Sequence, residues 1–126
     1  MKTRLSYRLN PAGQEYIRHP ERNKKGRIGT GHFKNVILIF IFTNGDYEPS
    51  RFKAFMESFG IFARPDRDQM PTRSYVEWKH YVDAAKQQLL NKGILVEKGA
   101  GRFEISLGKV EQIFRQVSGY LEIVEP

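Results

Sequence analysis

The sequence predicts an α+β fold with a single core, on the basis of three observations. A chain of 126 residues is long enough to bury one core but too short for two independent ones. Apolar residues in the segment 74–92 recur at intervals of three and four, which is typical of an amphipathic helix. Two short β-type segments then flank Gly99-Ala100-Gly101, the pattern of a β-hairpin. We therefore expect packed helices that carry a small hairpin.

The composition excludes several classes of protein. Hydrophobic residues make up 40% of the chain and aromatic residues 13%, as in a packed globular domain. Cysteine is absent, which excludes disulfides, thiolate metal sites and cysteine nucleophiles. The longest apolar run, at residues 36–42, is far shorter than the roughly 20 residues of a membrane-spanning helix. Because residues 1–10 also lack the apolar stretch of a signal peptide, we expect a cytoplasmic protein.

Positive charge is concentrated in the first quarter of the chain. The formal net charge is +7 and the isoelectric point is near 9.8. Residues 1–34 contain nine lysines and arginines but two acids, whereas residues 35–126 contain twelve of each. An excess of this kind favours a polyanionic partner that binds the N-terminal region.

The N-terminal region is predicted to hold a strand, a helix and a basic arm. Residues 4–9 have the pattern of a short strand, and Asn10-Pro11 is a typical helix start because asparagine caps the first amides and proline fits the first turn. The helix is expected to end near Ile17. Residues 18–32, RHPERNKKGRIGTGH, contain three glycines and almost nothing apolar, so we expect a mobile arm.

The next segment is ambiguous between strand and helix. The run at residues 36–42 has no alternation, and its β-branched residues fit a buried strand as well as a fully buried helix. Asn44-Gly45-Asp46 is expected to form a turn, and Pro49 to begin a helix that ends near Ser58. Residues 61–73 are expected to be an irregular connection.

The clearest predicted helix runs from Ser74 to about Lys92 and ends at Asn91-Lys92-Gly93. Strands are expected at residues 94–98 and 102–106, and a last amphipathic helix is expected after residue 107. The apolar stripe of the first helix is Tyr75, Trp78, Val82, Ala85 and Leu89, and that of the last helix is Val110, Phe114, Val117, Leu121 and Val124.

The order helix, turn, helix, longer helix and hairpin resembles the winged helix-turn-helix superfamily, and LLNKGILVEKGAGRFEIS at residues 89–106 is similar to its junction of recognition helix and wing. YRLNPAGQEYI at residues 7–17 resembles the strand and helix that often follow a wing, although here it precedes the other elements. The resemblance implies an N-terminal extension (1–32), a winged-helix domain (33–106) and an added C-terminal helix (107–126) used for packing or for a homodimer.

The resemblance implies double-stranded DNA as the partner, with the polar face of the third helix in the major groove and the wing on the backbone. Guanidinium, amide and carboxylate groups match base edges, while cations next to glycine match phosphates. The basic arm would add electrostatic affinity. The candidate residues are Arg18, Arg22, Lys24, Lys25, Arg27 and Lys34 before or at the start of the apolar run, Arg73, His80, Gln87 and Asn91 on the helix, and Lys98 and Arg102 on the hairpin.

An enzymatic alternative comes from a second resemblance. Pro65-Asp66 followed by Glu77-Trp78-Lys79 is similar to the PD-(D/E)xK motif of metal-dependent nucleases, and Glu57 could add a carboxylate. This interpretation requires residues 75–79 to be a strand, whereas the apolar stripe requires a helix. The longer periodicity favours the helix.

We therefore expect a non-enzymatic DNA-binding protein, of a regulatory or a replication and segregation type, in the cytoplasm and associated with the nucleoid. The alternatives are the nuclease and a protein-binding winged helix that docks onto a larger nucleic-acid machine. The three histidines, His19, His32 and His80, lack metal-ligand spacing, and the chain has no glycine-rich phosphate loop, so no cofactor and no metal is assigned.

Overall fold

The computed structural model describes residues 6–18, 30–59 and 75–124, and of residues 75–78 it describes the backbone. The described residues form five α-helices and two small antiparallel sheets, which confirms the predicted α+β class. In chain order the elements are β1 (Ser6–Leu9), α1 (Pro11–Arg18), α2 (Thr30–Asn44), α3 (Pro49–Ser58), α4 (Tyr75–Asn91), β2 (Leu95–Gly99), β3 (Arg102–Ile105), α5 (Val110–Val117) and β4 (Leu121–Val124).

The ambiguous apolar run belongs to α2, the central helix of the fold. Every residue from Val36 to Ile41 is buried, because α4, α5, β1 and β3 pack around α2. A helix that is apolar on all sides has no polar stripe, which is why its periodicity could not be read. Of the two options that the sequence left open, the helix is the one observed.

The helix α2 begins at Thr30, so the predicted arm extended too far. Residues 30–32 form the first turn of α2, and Arg18 is the last residue of α1. His32 has the polarity expected of an exposed arm, but its ring is buried against Tyr16 and belongs to the helix. Residues 19–29, the rest of the predicted arm, lie outside the described residues.

The helix α1 begins as predicted, and its first turn is attached to the C-terminal part of the chain. The side-chain oxygen of Asn10 accepts a hydrogen bond from the Gly13 amide at 2.7 Å, while its amide group donates to the Gly119 carbonyl at 2.9 Å. Gly13 lies against this region so closely that a Cβ atom there would be 2.9 Å from Leu9 and closer still to the Tyr120 carbonyl oxygen. The capping asparagine thus holds two distant parts of the chain together.

The prediction of a last helix that continues to Val124 is wrong beyond Val117. A 3₁₀ turn follows α5 at Ser118–Tyr120, and Leu121–Val124 is the strand β4. This strand pairs antiparallel with β1, Tyr7 opposite Ile123 and Leu9 opposite Leu121. The pairing with β1 satisfies backbone groups of β4 that a helix would have satisfied internally, and the apolar spacing alone does not distinguish the two.

The turn between α2 and α3 is attached to the hairpin by a β-bridge between Tyr47 and Phe103. The Tyr47 amide donates to the Phe103 carbonyl at 2.7 Å, and the Phe103 amide donates to the Tyr47 carbonyl at 2.9 Å. Glu48 caps α3 by accepting from the Ser50 amide at 3.1 Å. Its hydrogen bond with the Ser50 hydroxyl lowers the pKa of Glu48.

The helix α4 and the hairpin form as predicted, within one or two residues. Val82, Ala85 and Leu89 of the stripe are buried, while the side chains of the other two stripe residues lie outside the described part. Gly93 ends α4 with a φ of 72°, a conformation that suits glycine, and the strands β2 and β3 follow.

The three described ranges of the chain contribute to the same hydrophobic core. Its members include Ile17 of α1, the apolar side chains of α2 and Val117 of α5. No helix in the described ranges is both long enough and apolar enough to cross a membrane.

Candidate nucleic-acid interface

The outward face of α4 carries three of the candidate residues. His80, Gln87 and Asn91 are exposed, and they lie opposite the buried side of the helix because the spacings of seven and four residues return to nearly the same angle. The side-chain nitrogen of Gln87 donates to the side-chain oxygen of Asn91 at 3.0 Å. The face thus presents imidazole and amide hydrogen-bonding groups.

The hairpin that follows α4 carries two further candidates near its tip. The side chain of Lys98 is 60% exposed and that of Arg102 is 56% exposed. Between them Gly101 has a φ of 73° and its amide points toward the Glu97 carboxylate at 3.3 Å. The tip is therefore narrow, with a cation on each strand.

Each of these cations has an acidic neighbour that the sequence did not reveal. Lys98 Nζ lies 3.2 Å from Glu104 Oε2, diagonally across the hairpin, where Glu104 is paired with Val96. Arg102 lies 3.9 Å from Asp46, which also binds Arg51. Glu104 belongs to the other strand of the same hairpin, whereas Asp46 belongs to a turn more than 50 residues earlier in the chain. Both cations are exposed and both carboxylates are half-buried, so phosphate oxygens can approach the cations and compete with the carboxylates for them.

Two other candidates belong to different parts of the molecule. Arg18 is exposed at the end of α1, and its guanidinium carbon lies 5.8 Å from the centroid of the Phe59 ring. Lys34 is half-buried in the first turns of α2. The remaining candidates, Arg22, Lys24, Lys25, Arg27 and Arg73, lie outside the described residues.

Two lysines near the hairpin were missed. Lys86 of α4 is half-buried, with its Nζ 5.1 Å from the centroid of the Phe103 ring. Lys109 Nζ donates to the Lys92 carbonyl at 3.1 Å, close to the end of α4. A helical wheel places Lys86 beside the buried stripe, which indicates that Lys86 can contact a neighbouring element such as the hairpin. The contact of Lys109 with Lys92 joins two elements that the sequence did not show to be adjacent.

The segment used for the nuclease resemblance is helical. Residues 77 and 79 are both in α4, where a separation of two positions turns the chain by about 200° and places them on opposite sides. The strand that the nuclease interpretation requires is therefore not present at 75–79. Glu57 is exposed on α3 next to Lys53, and Pro65-Asp66 lies outside the described residues. Within the described ranges, no three histidine, aspartate or glutamate side chains are grouped to hold a metal ion.

His32 is a buried titratable group away from the outward face of α4. It is 5% exposed, and neither ring nitrogen has a hydrogen-bond partner. The ring packs against Tyr16 at 4.6 Å and Phe33 at 5.6 Å between centroids. Burial lowers the pKa of His32 to about 4, so the ring is neutral at pH 7.

Comparison with protein-family models, curated proteins and solved structures found no match to the chain.

Proposed function

We propose that this protein is a non-enzymatic winged-helix protein that binds double-stranded DNA. The observation that carries the proposal is the outward face of α4, with exposed imidazole and amide groups, followed directly by a glycine-tipped hairpin with two exposed cations. A helix fits the major groove of duplex DNA, and cations beside small residues suit the phosphate backbone.

The arrangement of the elements supports the same proposal. The helices α2, α3 and α4 precede the hairpin in the order of a winged helix, and the Tyr47 to Phe103 bridge attaches the residues before α3 to strand β3 of the hairpin. This bridge fixes the hairpin relative to the helices. A rigid relation between helix and hairpin is what simultaneous contact with a groove and its backbone requires.

The charge of the N-terminal region would supply most of the affinity. Lysines and arginines that neutralise phosphates release counterions, so affinity falls as salt rises. DNA binding of this kind would place the protein in the cytoplasm on the nucleoid, in a regulatory or a replication and segregation role.

The test is fluorescence anisotropy of the full chain with a labelled 20-bp duplex at increasing salt. We expect tight binding at low salt, and a logarithm of affinity that falls linearly with the logarithm of salt concentration. The triple variant Lys24→Gln, Lys25→Gln, Arg27→Gln should weaken binding to all sequences alike, and the salt slope should become shallower by up to about 3.

A matched variant, Arg8→Gln, Lys53→Gln, Arg115→Gln, removes the same charge from exposed ion pairs on β1, α3 and α5. It should leave the salt slope close to that of the parent. Absence of duplex binding at low salt would contradict the proposal. Equal salt slopes for the two variants would show that the basic arm does not contribute to DNA binding.

Two further measurements address the alternatives. Magnesium-dependent cleavage of the duplex that is lost in Glu77→Ala would establish the nuclease instead. A pull-down that recovers a protein partner after complete nuclease treatment, without duplex binding, would establish the protein-docking alternative.

A homodimer at the C-terminal part of the chain would present two such interfaces. Leu107, before α5, is 90% exposed, and Ile123 of β4 is 54% exposed. Ile113 and Val117 of α5 are buried in their own core, so a dimer would use the outer residues. Sedimentation equilibrium with and without duplex would measure the stoichiometry.

A further inference from the structure

We propose that the outward face of α4 selects A·T base pairs, with Gln87 and Asn91 contacting adenine and Ala84 contacting the thymine methyl group. This inference rests on the proposed binding to duplex DNA and goes beyond it, because it names the base pair that the protein prefers.

The three residues form one continuous strip along the helix. Positions 84, 87 and 91 are separated by three and four residues, so they follow one another along the same side of α4. Gln87 and Asn91 are exposed, and Ala84 is half-buried at the edge of the same side. Val82, Ala85 and Leu89 are buried on the other side, so the orientation of the strip is fixed by the core.

The hydrogen bond between the two amides leaves each of them able to offer a donor and an acceptor to a base. Gln87 Nε2 donates to Asn91 Oδ1 at 3.0 Å, and Gln87 keeps its second N–H and its oxygen for another partner. If both amides are turned over, Asn91 donates to Gln87 and keeps its own second N–H and its oxygen. In either orientation at least one amide therefore presents a donor and an acceptor side by side.

Adenine is the base whose major-groove edge matches this pair. It carries one acceptor, N7, and one donor, the N6 amino group, and asparagine and glutamine are its usual partners. Guanine carries two acceptors, N7 and O6, so in a bidentate contact the amide oxygen would face another acceptor. The amide pair thus favours adenine over guanine.

The cations that could read guanine are placed elsewhere on the helix. The described helix has two lysines, and Lys79 forms an ion pair with Asp83 at 3.0 Å. Lys86 contacts the Phe103 ring on the side toward the hairpin. Arginine and lysine make the commonest specific contacts to guanine. Within the described part of α4, neither residue type occurs on the strip.

Ala84 contributes at the thymine of the same base pair. Its methyl group is one turn from Gln87, and apolar contact with the C5-methyl group is a usual way to recognise thymine. Cytosine has no methyl group at this position. The strip therefore matches both members of an A·T pair.

The experiment measures anisotropy with the full chain and two 20-bp duplexes of equal length, one rich in A·T and one rich in G·C, at a salt concentration where binding is tight. We expect the A·T duplex to bind roughly 5- to 150-fold more tightly, the range for one good bidentate contact. Replacing adenine by 7-deazaadenine removes N7 without changing the minor groove, and should abolish most of this preference. Replacing thymine by deoxyuridine should weaken binding by a smaller factor.

The variant Gln87→Ala, Asn91→Ala should bind both duplexes with similar affinity and keep the parent's salt slope. Gln112→Ala, an exposed amide on α5, is the matched control and should keep the preference. Equal affinity of the parent for both duplexes, or a preference that survives in the double variant or on 7-deazaadenine, would overturn this inference and leave duplex binding intact. Absence of binding to either duplex would overturn the proposed function as well.

Discussion

His32 illustrates how a single buried side chain couples stability to pH. Tyr16 and Phe33 surround its ring, and its two nitrogens lack hydrogen-bond partners, so a proton on the ring would have no compensating contact. The folded protein therefore resists protonation until the pH approaches 4, whereas the unfolded chain binds the proton near the ordinary pKa of 6.5. Acid consequently favours the unfolded chain.

We expect His32 to reduce the free energy of unfolding as the pH falls from about 6.5 to about 4. A pKa difference of this size corresponds to a loss of up to about 3 kcal/mol, complete once the pH is below the folded pKa. Urea unfolding between pH 4.5 and 7.5 measures it. His32→Phe should flatten this part of the curve, whereas His80→Gln, at an exposed position, should not. An unchanged slope in His32→Phe would contradict the assignment.

At the scale of elements, each of the two candidate cations of the hairpin β2–β3 lies next to a carboxylate. Lys98 and Glu104 form an ion pair diagonally across the two strands, and Arg102 lies near Asp46 of an earlier turn. Exposed ion pairs of this kind contribute at most about 1 kcal/mol to stability. They also reduce the positive potential that a phosphate meets at the tip.

Glu104→Gln should therefore tighten duplex binding by a few-fold and steepen the salt slope by up to about 1, because Lys98 is then free to contact phosphate. The free energy of unfolding should change by less than about 1 kcal/mol. Anisotropy titrations measure the first effect and urea unfolding the second. Glu111→Gln removes the partner of Arg115 on α5 and should leave DNA binding almost unchanged. Equal effects of the two substitutions would place the hairpin outside the interface.

The elements also show which parts of the fold can be predicted from sequence. The helices α1, α3 and α4 and the hairpin have local signals, such as the capping Asn10, the stop at Gly93 and the glycines of the turn, and these were located correctly. The helix α2 is buried on all sides and has no polar face to set a period. The strand β4 depends on β1, a partner more than 100 residues away that no local pattern indicates.

The candidate site shows the same difference between features that local sequence indicates and features that depend on the fold. The face of α4 with His80, Gln87 and Asn91 could be predicted, because a helical wheel is sufficient to separate it from the buried stripe. The neighbours of Lys98 and Arg102 could not all be predicted, because Asp46 reaches the hairpin through the bridge at Tyr47. Contacts within an element are encoded locally, whereas contacts between elements require the fold.

At the scale of the whole molecule, the N-terminal and C-terminal elements complete a single core around α2. Ile17 of α1 and Val117 of α5 are fully buried in it, and α1 packs against the turn at Ser118–Tyr120. A core shared in this way predicts one cooperative unfolding transition.

Gly13→Ala tests this cooperativity, because the added Cβ atom would collide with Leu9 and with the Tyr120 backbone. We expect a loss of about 1–3 kcal/mol in the free energy of unfolding, even though alanine favours a helix more than glycine does. Gly119→Ala, where a Cβ atom meets open space, is the control. Far-UV circular dichroism and hydrogen exchange at α2 amides should report the same shifted transition. Two separate transitions would show that α1 and the β1–β4 sheet unfold independently of the core.

The pairing of β1 with β4 has a consequence for how the protein is made. Translation produces Ser6–Leu9 early and Leu121–Val124 more than 100 residues later, so β1 has no partner strand during most of synthesis. The helices and the hairpin between them can form from neighbouring residues while the chain still emerges from the ribosome. The sheet can close only after β4 has emerged from the ribosome, and this closure brings α1 into its final position against the turn at Ser118–Tyr120. Until then, a nascent chain would expose the side of α2 that β1 covers.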